Sequence, residues 1–170
     1  MKKLRENEGL NIVPAVSGLD YAAPAARLIV GLVLFISGYL KLLSPVEEFA
    51  AAIEAFQVLP LALVPWAAKT IPWAELFIGG FLAAGYLTTL SAVAAGSLNS
   101  AFFLALASLK IRGIAVGECG CFGSAGPHLE PWQVMILDAV LITLSAVLIS
   151  RRRQINPFSL DRWIARGSSY

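Results

Sequence analysis

The stretch IPWAELFIGGFLAAGYLTTLSAVAAGSLNSAFFLALASL, residues 71–109, contains one acidic residue, Glu75, and no basic one. A helix crosses a hydrocarbon core in about 20 residues. The 39 residues here are close to twice that length, so they are expected to fold back as a hairpin of two spans. The turn is expected near Gly85-Tyr86-Leu87-Thr88-Thr89. Working outward, residues 24–43 and 131–150 are further apolar runs of spanning length. The second of these opens on Pro131, where the missing N–H costs nothing at a helix start. Backbone polar groups in lipid must be satisfied within the segment, so all four runs read as helices. The expected fold is all-α: an integral membrane four-helix bundle over residues 24–150, with cytoplasmic extensions at 1–23 and 151–170.

Composition agrees. The chain is 58% hydrophobic and 14% charged, with a mean hydropathy of +0.73, against about 45–50% and 25% in soluble domains. No soluble core of this size needs so much apolar side chain. The net charge of +2 gives no reason to expect a nucleic-acid partner. Residues 1–20 are polar and lack an apolar region followed by a cleavage site, so the first apolar run is expected to serve as the membrane signal. With both termini on one side, that side carries nine Lys and Arg residues and the other four, namely Lys41, Lys69, Lys110 and Arg112. The positive-inside rule then puts the termini in the cytoplasm. Between the first two spans, Phe49, Ile53 and Phe56 recur at helical spacing among Glu47, Glu48 and Glu54. That pattern predicts an extracytoplasmic amphipathic helix on the outer surface.

Both cysteines lie in Gly117-Glu118-Cys119-Gly120-Cys121-Phe122-Gly123, in the loop before the last span. Three glycines allow sharp turning and close approach of a partner. A bond between residues two apart closes little chain and stabilises weakly, and departures from preferred geometry make such a bond more reducible. The pair therefore suits thiol–disulfide exchange in an oxidising compartment, with Cys119 and Cys121 as the candidate catalytic residues. Which of them attacks and which resolves is open. A soft metal ion held with His128, the only histidine, is the alternative; the spacing is not that of a standard zinc site, and no metal is expected.

Ionisable residues within spans cost roughly 2.5–3.5 kcal/mol or more each, so they face the bundle interior or pair. Lys41 lies near the outer end of the first span, Glu75 just inside the second, and Asp138 roughly 10 Å into the last. These three are expected to gather beneath the cysteine loop as candidate cofactor-binding residues. Asn99, with Ala92, Gly96 and Ser100 at every fourth position, reads as helix-packing glue.

Several short motifs recur in order: Ala26-Arg27-Leu28 with Gly31, Gly38-Tyr39-Leu40-Lys41-Leu42, and Phe56-Gln57-Val58-Leu59-Pro60. They are followed by Pro72-Trp73-Ala74-Glu75 and Cys119-Gly120-Cys121-Phe122-Gly123. Over about residues 25–150 the chain resembles the MauE/DoxX-like family of four-helix membrane proteins, and its MauE branch in particular. The resemblance implies a redox-associated protein of the bacterial inner membrane. MauE-like proteins are linked to maturation of a disulfide-rich periplasmic subunit of methylamine dehydrogenase, and DoxX-like ones to quinone-coupled sulfur chemistry. It implies Cys119 and Cys121 as redox residues, with Arg27, Lys41 and Glu75 at family-pattern positions. It leaves the methylamine context open for this chain. The expected function is a membrane thiol–disulfide oxidoreductase serving maturation of an extracytoplasmic partner, with a quinone as candidate cofactor. The rival expectation is a non-catalytic accessory subunit of a larger membrane complex.

Overall fold

The computed structural model describes residues 18–114, 122–123, 126–127 and 129–150. Cys119, Cys121 and His128 lie outside the described residues, as do 1–17 and 151–170, which hold most of the two expected cytoplasmic extensions. Five α-helices follow in order: α1 (Gly18–Leu43), α2 (Val46–Phe56), α3 (Val64–Ala84), α4 (Thr88–Arg112) and α5 (Pro131–Ser150). A short 3-10 turn, Leu61–Leu63, leads into α3. Among the described residues there is no strand.

Four long helices run up and down in antiparallel order. Along α1, Gly31 meets Gly79 and Ala83 of α3, whereas Gly38 meets Pro72 and Leu76, so the numbering rises on one helix as it falls on the other. Likewise Gly96 of α4 faces Ser145 of α5, and Leu106 and Leu109 pack with Val134. Ala22–Leu43, Thr88–Arg112 and Pro131–Ser150 are long and apolar enough to cross a membrane. The remaining expected span, α3, has 21 residues and is packed lengthwise with the others, though it carries Lys69, Glu75 and an internal proline.

Polarity is arranged for a lipid solvent. Arg27, Lys41, Glu75, Asn99 and Asp138 are buried, while Leu28, Ile29, Leu32, Phe35, Phe77 and Phe81 point outward. A soluble domain places these classes the other way round.

Helix ends follow local rules. Gly85 adopts φ 72°, with its N–H donating to Leu82 and that of Tyr86 to Phe81, so α3 ends in a glycine cap within the expected turn. Gly113 ends α4 in the same way, with the Ile114 N–H reaching the Leu109 carbonyl. At the start of α5 the Gln133 side chain accepts from the Glu130 N–H, half of a capping box.

Three expectations are corrected. Helix α1 begins at Gly18, with Pro24 inside it, rather than near residue 24. Helix α3 begins at Val64 rather than Ile71, because Pro65 sits in its first turn, where proline is tolerated, and Pro72 is accommodated inside. The amphipathic helix α2 forms as expected, but its apolar face is not laid on the membrane surface. Phe49 and Ile53 pack on Val64 and Ala68 of α3, and Phe56 joins Leu106, Leu109 and Val134, so α2 caps one end of the bundle. Its glutamates stay exposed.

The α1–α3 seam is a backbone contact. A Cβ on Gly38 would lie 2.6 Å from the Pro72 carbonyl oxygen and 2.7 Å from the Leu76 nitrogen. One on Gly79 would lie 2.5 Å from the Phe35 nitrogen, whereas one on the neighbouring Gly80 meets only the Phe35 ring at 3.7 Å. Gly38→Ala is therefore expected to destabilise by about 1–3 kcal/mol, and Gly80→Ala by less than about 0.5 kcal/mol. Thermal unfolding in lipid nanodiscs reads both, and equal losses would contradict the seam.

Candidate functional site

At the α2 end of the bundle the four long helices enclose a charged cluster. Lys41 stands in the last turn of α1, and Ser37 lies one turn before it on the same face. Opposite, in the middle of α3, is Glu75. The Lys41 Nζ donates to Glu75 Oε1 at 2.6 Å and Oε2 at 2.7 Å, and to Ser37 Oγ at 3.1 Å. The Ser37 hydroxyl in turn donates to Glu75 Oε2 at 3.2 Å. Phe49 from α2 and Phe102 from α4 each place a ring centroid 5.0 Å from the ammonium, a cation–π range. Both charged side chains are almost wholly inaccessible, at 1% and 2% exposure.

Such a pair is costly to desolvate and is maintained by mutual attraction plus hydrogen bonds that satisfy the remaining polar valences. All of these elements are present. The pair also borders a small chamber of about 20 Å³, to which Asn99, Asp138, Phe102 and Phe122 contribute. That volume admits about one water molecule. Asn99 anchors its amide by donating to the Ala95 carbonyl at 2.8 Å.

The chamber closes against the cysteine loop. Phe122, the residue after Cys121, is part of its wall. Gly123 follows with φ +67°, pressed on the end of α1: a Cβ there would lie 2.6 Å from Ser44 Oγ, 3.1 Å from the Leu40 carbonyl oxygen and 3.3 Å from the Lys41 Cα. Only glycine suits both the dihedral and the approach.

Lys41, Glu75 and Asp138 thus come to one chamber, as expected from the sequence. Arg27 does not join them; it is buried 14 residues earlier on α1, roughly 21 Å away along the axis. Ser37 was not foreseen, although its place four residues before Lys41 was available as a signal. Asn99 lines the chamber besides packing its helix. Arg112, at the end of α4, donates to the Phe56 carbonyl and so ties α2 down.

Removing one charge strands the other. Lys41→Met is expected to cost about 3–5 kcal/mol of stability, and the double variant Lys41→Met/Glu75→Leu to regain most of that loss. Chemical unfolding of the three proteins in the same lipid environment checks this, and a double variant no better than the single one would refute it.

Comparison with known proteins bears on this arrangement. The sequence profile of the family described as Methylamine utilisation protein MauE matches residues 19–151, the whole bundle. The chain is 31% identical over 136 residues to the methylamine utilization protein MauE of Paracoccus denitrificans, spanning 80% of this chain and 73% of that one. To the MauE of Methylophilus methylotrophus it is 36% identical over 96 residues, 56% of this chain and 50% of that one. No solved structure matches. With its four-helix frame and with Lys41, Glu75 and both cysteines inside the matched region, the chain belongs to the MauE family.

Proposed function

We propose that the chain is a membrane redox protein that exchanges disulfides with an extracytoplasmic partner during that partner's maturation. The observation that carries this reading is the closely spaced cysteine pair whose next two residues are seated on the Lys41–Glu75 cluster. A loop carrying two thiols, fixed to a buried charge site at a bundle end, has no packing need for sulfur. The relatives' names connect the family with methylamine utilisation, and a partner in such a system falls within the proposal.

In the forward direction a partner thiolate attacks one sulfur of the Cys119–Cys121 disulfide, giving a mixed disulfide and one released cysteine thiolate. A second partner thiolate then displaces the other cysteine. The partner gains one S–S bond and loses two S–H bonds, while Cys119 and Cys121 become the dithiol. Returning that dithiol to the disulfide releases two electrons and two protons to an acceptor. A lipid-soluble quinone, when bound, would supply a two-electron, two-proton acceptor.

The chamber at Lys41, Glu75 and Asp138 has no room for a quinone ring, and Lys41 and Glu75 already satisfy each other. A groove of about 460 Å³ does have room. It lies where α4 ends and α5 begins, lined by Leu106, Leu109, Lys110, Trp132 and Met135, and its edge residues Ile114 and Glu130 bracket the cysteine loop in sequence. Its volume falls in the range of about 300–1,000 Å³ usual for small-molecule sites.

The proposal places the termini in the cytoplasm and the α2 end outside, in a bacterial inner membrane, from the distribution of Lys and Arg. Under the rival reading, an accessory subunit would present the exposed aromatic file Trp73, Phe77 and Phe81 of α3 to a larger complex. Stoichiometric co-purification with such a complex, unaffected by loss of both cysteines, would favour that rival.

Cys119→Ser and Cys121→Ser are each expected to abolish disulfide formation in the partner. One of the two should accumulate a reducible adduct with it on non-reducing gels. Labelling of intact cells with a membrane-impermeant maleimide, after reduction, is expected to modify both cysteines. Full partner maturation in both variants, or cysteines reached only after lysis, would reject the proposal.

A further inference from the structure

Where α4 ends and α5 begins, the groove of about 460 Å³ has an apolar floor and a charged rim. Leu106 and Leu109 from α4 and Met135 from α5 form the floor, while Lys110, Glu130 and Trp132 stand exposed at the rim. The antiparallel register that sets Gly96 against Ser145 puts Lys110, 14 residues on, level with Pro131, 14 residues back. Lys110 and Glu130 therefore stand on opposite walls at one height. Among the described residues neither joins a salt bridge. The exposed residues beside them on each helix, Ile111 and Ile136, are apolar, so the groove opens toward lipid.

We infer that this groove holds one phospholipid with a zwitterionic ethanolamine headgroup. The lipid phosphate accepts from the Lys110 ammonium, the lipid ammonium donates to the Glu130 carboxylate, and one acyl chain lies along Leu106, Leu109 and Met135. The Trp132 indole, 55% exposed, takes the place between apolar chain and polar headgroup that tryptophan favours at membrane surfaces. The choice of lipid follows from the signs of the two rim charges. An anionic glycerol headgroup meets Lys110 but is repelled by Glu130. A quinone offers acceptors to Lys110 and nothing to Glu130, and to enter the groove it has to displace the lipid chain. Only a headgroup carrying both signs satisfies both walls, and a primary ammonium, unlike a choline, also donates hydrogen bonds. No step of the disulfide chemistry is needed for this site.

The test is native mass spectrometry of the purified full-length protein released from nanodiscs that contain phosphatidylethanolamine, phosphatidylglycerol and a short-chain quinone in equal amounts. The ethanolamine lipid is expected to stay bound in about fivefold preference to the glycerol lipid, the scale of one exposed ion pair. Glu130→Gln is expected to bring the two lipids within about twofold of each other, and Lys110→Gln to lower retention of both by about fivefold. Both side chains are exposed, so neither change threatens the fold. Lys69→Gln, at an exposed lysine of α3 away from the groove, is expected to leave retention unchanged. Retention of the glycerol lipid or the quinone ahead of the ethanolamine lipid overturns the inference. So does the absence of any bound lipid, or a native preference that survives Glu130→Gln. None of these readouts involves Cys119 or Cys121, whose own variants decide the proposed function.

Discussion

The attraction between one ammonium and one carboxylate, Lys41 and Glu75, organises the end of the bundle where the chemistry is expected. In a segment surrounded by lipid neither charge is tolerable alone, and neither reaches water. Their meeting fixes the rotation of α1 against α3, because only one face of each helix can present these side chains to the other. It also recruits what surrounds them. Ser37 takes the remaining hydrogen bonds, Phe49 descends from α2, and Phe102 comes across from α4 to cover the ammonium. Three elements beyond α1 are thus placed relative to a single pair of charges.

That placement gives the cysteine loop its foundation. The loop enters after the glycine cap of α4 and leaves before the half capping box of α5, so both its ends are held by helix termini. Between them, Gly123 sits against the end of α1, a different helix from those that carry the loop, and Phe122 packs with Phe56, Leu106, Leu109 and Val134.

Much of this was legible in the sequence, and the exceptions have physical causes. Hydropathy located the long helices, and Gly85 marked the α3–α4 turn because a helix end asks for positive φ. The cost of buried charge was enough to bring Lys41, Glu75 and Asp138 together. The start of α3 was hidden by Pro60, Pro65 and Pro72, which read as loop punctuation although a proline in a first turn is helix-compatible. The orientation of α2 was hidden for another reason: an apolar stripe looks the same whether it faces lipid or protein. Ser37 offered only its spacing from Lys41 as a signal, and a serine in a span most often serves packing, so its role appears only once its two charged neighbours are in place. Cys119 and Cys121 are known here from the sequence and from the residues beside them.

The glycine seam has a mechanical consequence. At Gly31, Gly38 and Gly79 the main chains of α1 and α3 touch with nothing between them, across roughly two turns of helix. Ridged side-chain interfaces can slip by a rotamer change; interlocked backbones have no rotamers to spend. The first and third helices therefore behave as one strut, and any flexing of the bundle falls to the other pair, where Gly96 meets only a serine side chain.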